Sequence, residues 1–265
     1  MLSRIFTTGI FVSLCMVTAV ASAQDEAQGD VQRGVRPMTQ EEIDRSIGRF
    51  GETEPVPENF QFSEAENLLW IDDHLHNIDR PMRLYYAFNR SGSYEEGFSD
   101  SVYLDIVKIN DDGTKDAILD FFTASRKQTI SPENVTNITG NPIMGVYMQG
   151  DVYEMNRLTE GHWRYFQKRI KIALREVARV DNVEFDFNGK PCKGEKIVFM
   201  PYLDDPHKAD FEKFANKRYE FIMSDDVPGS LYQIHTVVLD GSDKDGNKQP
   251  LIEETLTLME TKYAN

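Results

Sequence analysis

Two adjacent helical patterns between residues 141 and 179 constrain the fold most, because strand-like periodicity surrounds them on both sides. Asn141 followed by Pro142 is a helix start: the Asn side chain accepts from free amide groups of the first turn, and Pro is tolerated at the first helical position. Ile143, Met144, Val146, Tyr147, Met148, Val152, Met155 and Leu158 then spread around much of a helical wheel, which predicts a buried helix. Gly150 weakens that helix and would permit close approach of another backbone. Thr159 is the expected cap of a second helix over 161–178, so the pair reads as an αα-hairpin.

The second helix is amphipathic. At about 100° per residue, Trp163, Phe166, Ile170, Leu174 and Val177 fall within roughly 80° of arc, and this row is expected to contact the core. Arg164, Lys168, Lys171, Arg175 and Arg179 occupy a separate arc of about 80°. Arg164, Lys168, Lys171 and Arg175 are the candidate binding residues, for an amphiphile with an anionic headgroup, another anionic small molecule, or an acidic protein partner. The competing reading is a solvated helix side neutralised by neighbouring carboxylates.

Residues 1–23 combine Arg4, an apolar core and a terminal Ala21, Ser22, Ala23, the pattern of a secretory signal cleaved after Ala23. Its apolar run is shorter than the roughly 20 residues of a membrane span. Cys15 lies inside the apolar core without the small residues that precede an acylated cysteine. Removing this segment from 265 residues leaves 242, read as a polar leader over 24–59 and a single α+β domain over 60–265. Within the leader, Thr39 and Glu42 form a capping pair for a short helix over 39–47. The mature chain has no later stretch of transmembrane length and is expected to be soluble in the periplasm or secreted. Its one cysteine, Cys192, excludes an intramolecular disulfide and lies beside Pro191 in an expected turn. With 29 basic and 44 acidic residues, the net charge of −15 argues against nucleic-acid binding.

Strand-like runs occupy 68–71, 82–88, 102–109 and 117–123 before the helices. Val102, Leu104 and Ile106 alternate with Tyr103, Asp105 and Val107, the period of a strand buried on one face. Residues 110–113 form the hairpin turn that follows, and 89–100 reads as a polar connection. After the helices, Val183, Phe185 and Phe187 alternate with acidic residues, Asn188 and Gly189 make a turn, and strands follow at 197–202, 218–223, 231–239 and 251–259. Both faces of the 231–239 run carry apolar residues, which predicts an interior strand. Strands, helical hairpin, strands is an α+β order with mostly antiparallel, possibly curved sheet in two sequence halves around the hairpin.

Three constellations in the sequence bear on chemistry. Asp72, His74 and His76 would share one strand face and could begin a zinc site if joined by His162, His207 or His235. A solvated face running into a turn is the simpler reading, so no metal is assigned. Residues 240–247 resemble a calcium loop, but Gly241 and Ile252 stand where acidic ligands are required, and a polar turn explains them. Asp204 and Asp205 precede His207 within an acidic background. Nucleophile elbows, phosphate loops, dinucleotide fingerprints and zinc-protease helices are missing from the sequence, so no cofactor is assigned.

Gly150 to Thr159, followed by Tyr165, Phe166, Arg169 and Ile170, resembles an uncharacterised family of secreted Gram-negative bacterial proteins. The resemblance implies a bacterial envelope location and no activity. At the level of architecture alone, there is an analogy with periplasmic lipoprotein and lipid carriers, in which a curved sheet cups helices over an apolar cavity. The sequence therefore favours a non-enzymatic periplasmic binding or envelope-maintenance protein for a lipid or other amphiphile. A hydrolase or metal-dependent enzyme is the first alternative, and an interaction module using the basic helix face is the second.

Overall fold

Period-two alternation builds nine strands: β1 (Met82–Ser91), β2 (Phe98–Ile109), β3 (Lys115–Phe121), β4 (Asn134–Ile138), β5 (Arg179–Phe187), β6 (Lys190–Phe199), β7 (Arg218–Met223), β8 (Leu231–Val238) and β9 (Ile252–Tyr263). The computed structural model describes residues 61–127, 134–240 and 249–264. The expected signal, leader, 39–47 helix and most of the polar loop after Asp240 lie outside the described residues.

The strands form one open antiparallel sheet in the order β4-β3-β2-β1-β9-β8-β7-β6-β5. Each sequence half is a meander, and the halves meet where β1 pairs with β9, from Met82 opposite Tyr263 to Ser91 opposite Glu253. Bulges beside Tyr85, after Ile106 and beside Ile222 interrupt the ladders and sharpen the local twist. Gly194 is required by close packing: a Cβ there would lie 2.3 Å from the Met223 carbonyl oxygen.

Four helices accompany the sheet among the described residues: α1 (Glu64–Glu66), α2 (Pro142–Thr159), α3 (Trp163–Glu176) and α4 (Lys208–Phe211). The chain leaves the sheet at edge strand β4 and re-enters at the opposite edge, β5. Eight interstrand steps span about 38 Å. Helices of 18 and 14 residues are about 27 and 21 Å long, so the hairpin is the crossover. It covers the face carrying Leu84, Tyr86, Leu104, Ile234 and Leu256, all fully buried.

Asn141 caps α2 as its sequence predicts, accepting from the Ile143 N–H at 3.1 Å with Pro142 in the first turn. Phe166, Ile170 and Leu174 of α3 are buried and Trp163 packs partly against the core. Each fully buried side chain of this kind contributes about 1.5–3 kcal/mol.

Several local expectations are corrected. Val177 is 58% exposed because α3 ends at Glu176. The cap of α3 is His162, which accepts from the Arg164 N–H at 3.2 Å; the Thr159 hydroxyl donates back to Met155 O at 2.6 Å instead. A Cβ at Gly150 would meet nothing within 4 Å, so no backbone approaches there. Residues 67–71 form a π-helical turn rather than a strand, following α1, whose Ser63 and Glu66 make a reciprocal capping box. Cys192 lies inside β6 and is buried, not in a turn. The connection after β1 is shorter than expected, since strand continues to Ser91 and resumes at Phe98.

Candidate functional site

Helical spacing does bring Arg164, Lys168, Lys171 and Arg175 onto one exposed face of α3, turned away from the sheet. The Arg164 guanidinium lies 5.0 Å from the Trp163 ring centroid. Among the described residues, no ion pair engages Lys168 or Lys171. Arg169 sits on a different arc and pairs with buried Asp205 at 2.5 Å. Asp205 also accepts from the Tyr165 hydroxyl and the His207 N–H, both at 2.7 Å, so the Asp204, Asp205 and His207 segment is a structural anchor for α3.

Beneath α2 lies a polar seam. Tyr147, Asp151 and Glu154 occur at helical spacing; Tyr147 reaches β8 and β9, Asp151 reaches β7, and Glu154 reaches β1. The Tyr147 hydroxyl donates to Glu254 Oε2 at 3.0 Å and lies 3.1 Å from Thr236 Oγ1. Asp151, only 5% exposed, pairs through Oδ1 with Lys217, 2% exposed. Its Oδ2 accepts from the Tyr219 hydroxyl at 2.6 Å, and Tyr202 OH follows at 3.3 Å from Tyr219 OH. Arg90 joins Glu254 at 3.3 Å to Glu154 at 2.7 Å, and Arg157 extends the chain to the surface through Glu154 and Glu95.

The electrostatics follow from this enclosure. Burial raises the Glu254 carboxyl, with Lys217 and Arg90 opposing and Asp151 reinforcing the shift. Burial also pushes the Tyr147, Tyr202 and Tyr219 hydroxyls well up, so these groups act as neutral hydrogen-bonding partners. Burial opposes ionisation of Glu154, yet hydrogen bonds from Arg157 and Arg90 bring it down to about 2. Charge is thus matched within the seam, and Lys217 is held by its partners rather than presented as a nucleophile.

The sequence did carry a signal for the seam. Asp151 falls at the middle of the arc formed by Ile143, Met144, Tyr147, Met148, Val152 and Met155, all buried. A charged residue on a buried face requires a partner, and the spread of apolar residues around the helix masked that requirement.

The zinc reading fails on geometry. Residues 72–76 do not form a strand, and the two histidines part company. His74 is buried, its Nε2 lying 2.8 Å from Leu68 O and its Nδ1 accepting from the Asn141 N–H at 3.1 Å. Those partners assign the neutral Nε2–H tautomer, and burial lowers its pKa below the usual 6.5. His76 is exposed and bonds within its own turn, while His235 lies on the opposite sheet face, 3.0 Å from Glu253. Among the described residues, no group of three or more His, Cys, Asp or Glu side chains is placed to hold a metal.

The uncovered sheet face is polar. Arg83 forms a bidentate pair with Asp105, both bonds 2.6 Å, beside stacked Tyr85 and Tyr103. Arg83, Tyr85 and Tyr103 line an open groove of about 340 Å³ with Glu260 and Lys262. Further along, Lys196, Glu220, His235 and Glu253 make a cross-strand charge ladder.

No protein-family model and no curated protein matches the chain. Among solved structures it is similar to the lipoprotein LppX of Mycobacterium tuberculosis, 10% identical over 77% of this chain and 99% of that one, with a TM-score of 0.32. It is similar to LprF of Mycobacterium bovis, 10% identical over 78% and 99%, TM-score 0.30. A LolA superfamily protein of Nitrosomonas europaea matches at 10% identity over 76% and 94%, TM-score 0.20. At scores this low the likenesses carry no argument about ligand or activity. No helix among the described residues is long and apolar enough to cross a membrane.

Proposed function

We propose that this is a non-enzymatic binding protein of the bacterial envelope, which takes the apolar chain of a lipid or other amphiphile between α2 and the sheet. The supporting observation is the composition of the sheet-facing side of α2. Met144, Met148 and Met155 are buried there with Ile143 and Val152, and Met82 and Met223 lie in the same core. Unbranched thioether side chains repack around irregular apolar shapes at small cost, which is why such surfaces suit varied ligands. The other sheet face carries charged ladders and stacked tyrosines, leaving the interlayer as the apolar host.

Side chains fill that interlayer, so admission of a chain requires α2 to move outward. The polar seam defines the closed position, because Tyr147, Asp151 and Glu154 must leave their partners together. Envelope location is supported by the signal-like N-terminus and by the resemblance of the 150–170 segment to secreted Gram-negative proteins.

Native mass spectrometry of gently purified protein, with lipid extraction and titration of an amphiphilic dye, tests the proposal. A copurifying amphiphile, or saturable dye binding competed by fatty acid, is the expected result. Protein that carries no amphiphile and leaves the dye unaltered overturns it.

A further inference from the structure

We infer that the outer face of α3 is a docking surface for an anionic lipid membrane. This goes beyond ligand binding in the interlayer and does not depend on it. Arg164, Lys168, Lys171 and Arg175 stand at successive turns in a single row along the exposed side of one helix. Eleven residues of helix rise about 16 Å, so the row presents a straight cationic edge.

Two observations point to a lipid surface. The first is the exposure of two lysines at the middle of the row, in an acidic protein. With 44 acidic residues in the chain, no ion pair among the described residues engages Lys168 or Lys171. The second is aromatic exposure where α2 and the start of α3 meet. Tyr153 is 41% exposed and its ring centroid lies 5.8 Å from that of partly exposed Trp163, which also stacks on His162. Tyrosine and tryptophan favour the headgroup level of a bilayer, where an apolar ring and a polar edge are both accommodated.

The composition favours a membrane over an acidic protein. A row of cations with exposed Tyr153 and partly exposed Trp163 near one end combines the two residue classes that favour an anionic bilayer surface. The chain's net charge of −15 repels an anionic surface elsewhere, so the cationic edge also sets the orientation.

The test is vesicle co-sedimentation of the exported form, residues 24–265. Vesicles of phosphatidylcholine alone are compared with vesicles containing phosphatidylglycerol, at low and high salt. Salt-sensitive binding to the phosphatidylglycerol vesicles alone is expected. The double variant K168E/K171E should lower partitioning by at least about 25-fold, from attraction on the order of fivefold per basic residue near an anionic surface. Trp163→Ala should weaken it as well, and K190E/K193E, on the distant β5–β6 hairpin, should bind like wild type. Thermal unfolding of each variant checks that the fold is retained. Wild type that ignores anionic vesicles, or K168E/K171E that binds them as wild type does, overturns the inference. Stripe-dependent binding to polyglutamate without binding to vesicles assigns the face to an acidic protein and also overturns it.

Discussion

Replacing Lys217 with Met leaves Asp151 as an uncompensated carboxylate beneath α2. Removing one partner of a buried ion pair costs about 3–5 kcal/mol, because the other charge loses its stabilisation but stays desolvated. Here the Tyr219 hydroxyl still donates to Asp151 at 2.6 Å, so the cost should lie near the lower end, about 3 kcal/mol. In a domain of this size that lowers Tm by roughly 6–12 °C. The double variant Asp151→Leu with Lys217→Met removes both charges, and Tyr219 OH keeps Tyr202 OH within 3.3 Å. Such replacement of a buried pair by apolar residues is often neutral or stabilising, so the double variant should recover most of the loss. Urea denaturation of wild type, both single variants and the double variant closes a cycle whose coupling should be about 2–3 kcal/mol. Additive single effects would refute the reasoning, since they would mean that the two charges do not stabilise one another in the folded protein.

Two glycines should respond in opposite directions when changed to Ala. Gly150→Ala should stabilise by about 0.5–1 kcal/mol, since a Cβ meets nothing within 4 Å, whereas Gly194→Ala drives one to 2.3 Å from Met223 O and should unfold the β5–β6 hairpin locally; denaturant midpoints and hydrogen exchange separate the outcomes. Tyr147→Phe should cost about 1–2 kcal/mol, measured by urea denaturation, because buried Glu254 and Thr236 lose a partner. His74 should make stability fall as pH drops below about 6.5. The unfolded imidazole takes up a proton there while burial keeps the folded one neutral, so the lost stability is greatest at acid pH. His74→Gln should flatten that part of the stability profile, and an unchanged slope would remove His74 from the acid response.

Local periodicity explains why so much of the sheet was legible. Val102, Leu104 and Ile106 are buried, and their outward neighbours Tyr103 and Asp105 stack on Tyr85 and pair with Arg83. Apolar residues on both faces of the 231–239 run suggested an interior strand packed on both sides; β8 does lie between β7 and β9, but the face carrying His235 is only partly buried and Leu239 is 53% exposed. Strand order was not legible, because the union of the two halves depends on β1 meeting β9, whose residues are separated by most of the domain. The four-residue run 68–71 lacked a measurable period, and the Ser63 and Glu66 capping box was the better guide to its helical form.

The candidate sites divide in the same way. Grouping of Arg164, Lys168, Lys171 and Arg175 follows from helix geometry alone. The polar seam required tertiary knowledge: Tyr147, Asp151 and Glu154 share a helix, but Lys217, Tyr219, Thr236, Glu254 and Arg90 come from four strands and the approach to one of them. His74 shows the converse, since a residue that looked like a ligand is used by the fold, joining Leu68 to the capped start of α2.

Photolabelling with a diazirine fatty acid, mapped by peptide mass spectrometry, asks directly where an apolar chain resides. Crosslinks concentrated on Met144, Met148 and Met155 of α2 and on facing strand residues such as Met223, all suppressed by unlabelled fatty acid, are the expected result. Labelling confined to the outer groove at Tyr85 and Tyr103, or no competable labelling at all, would contradict binding between the helix and the sheet.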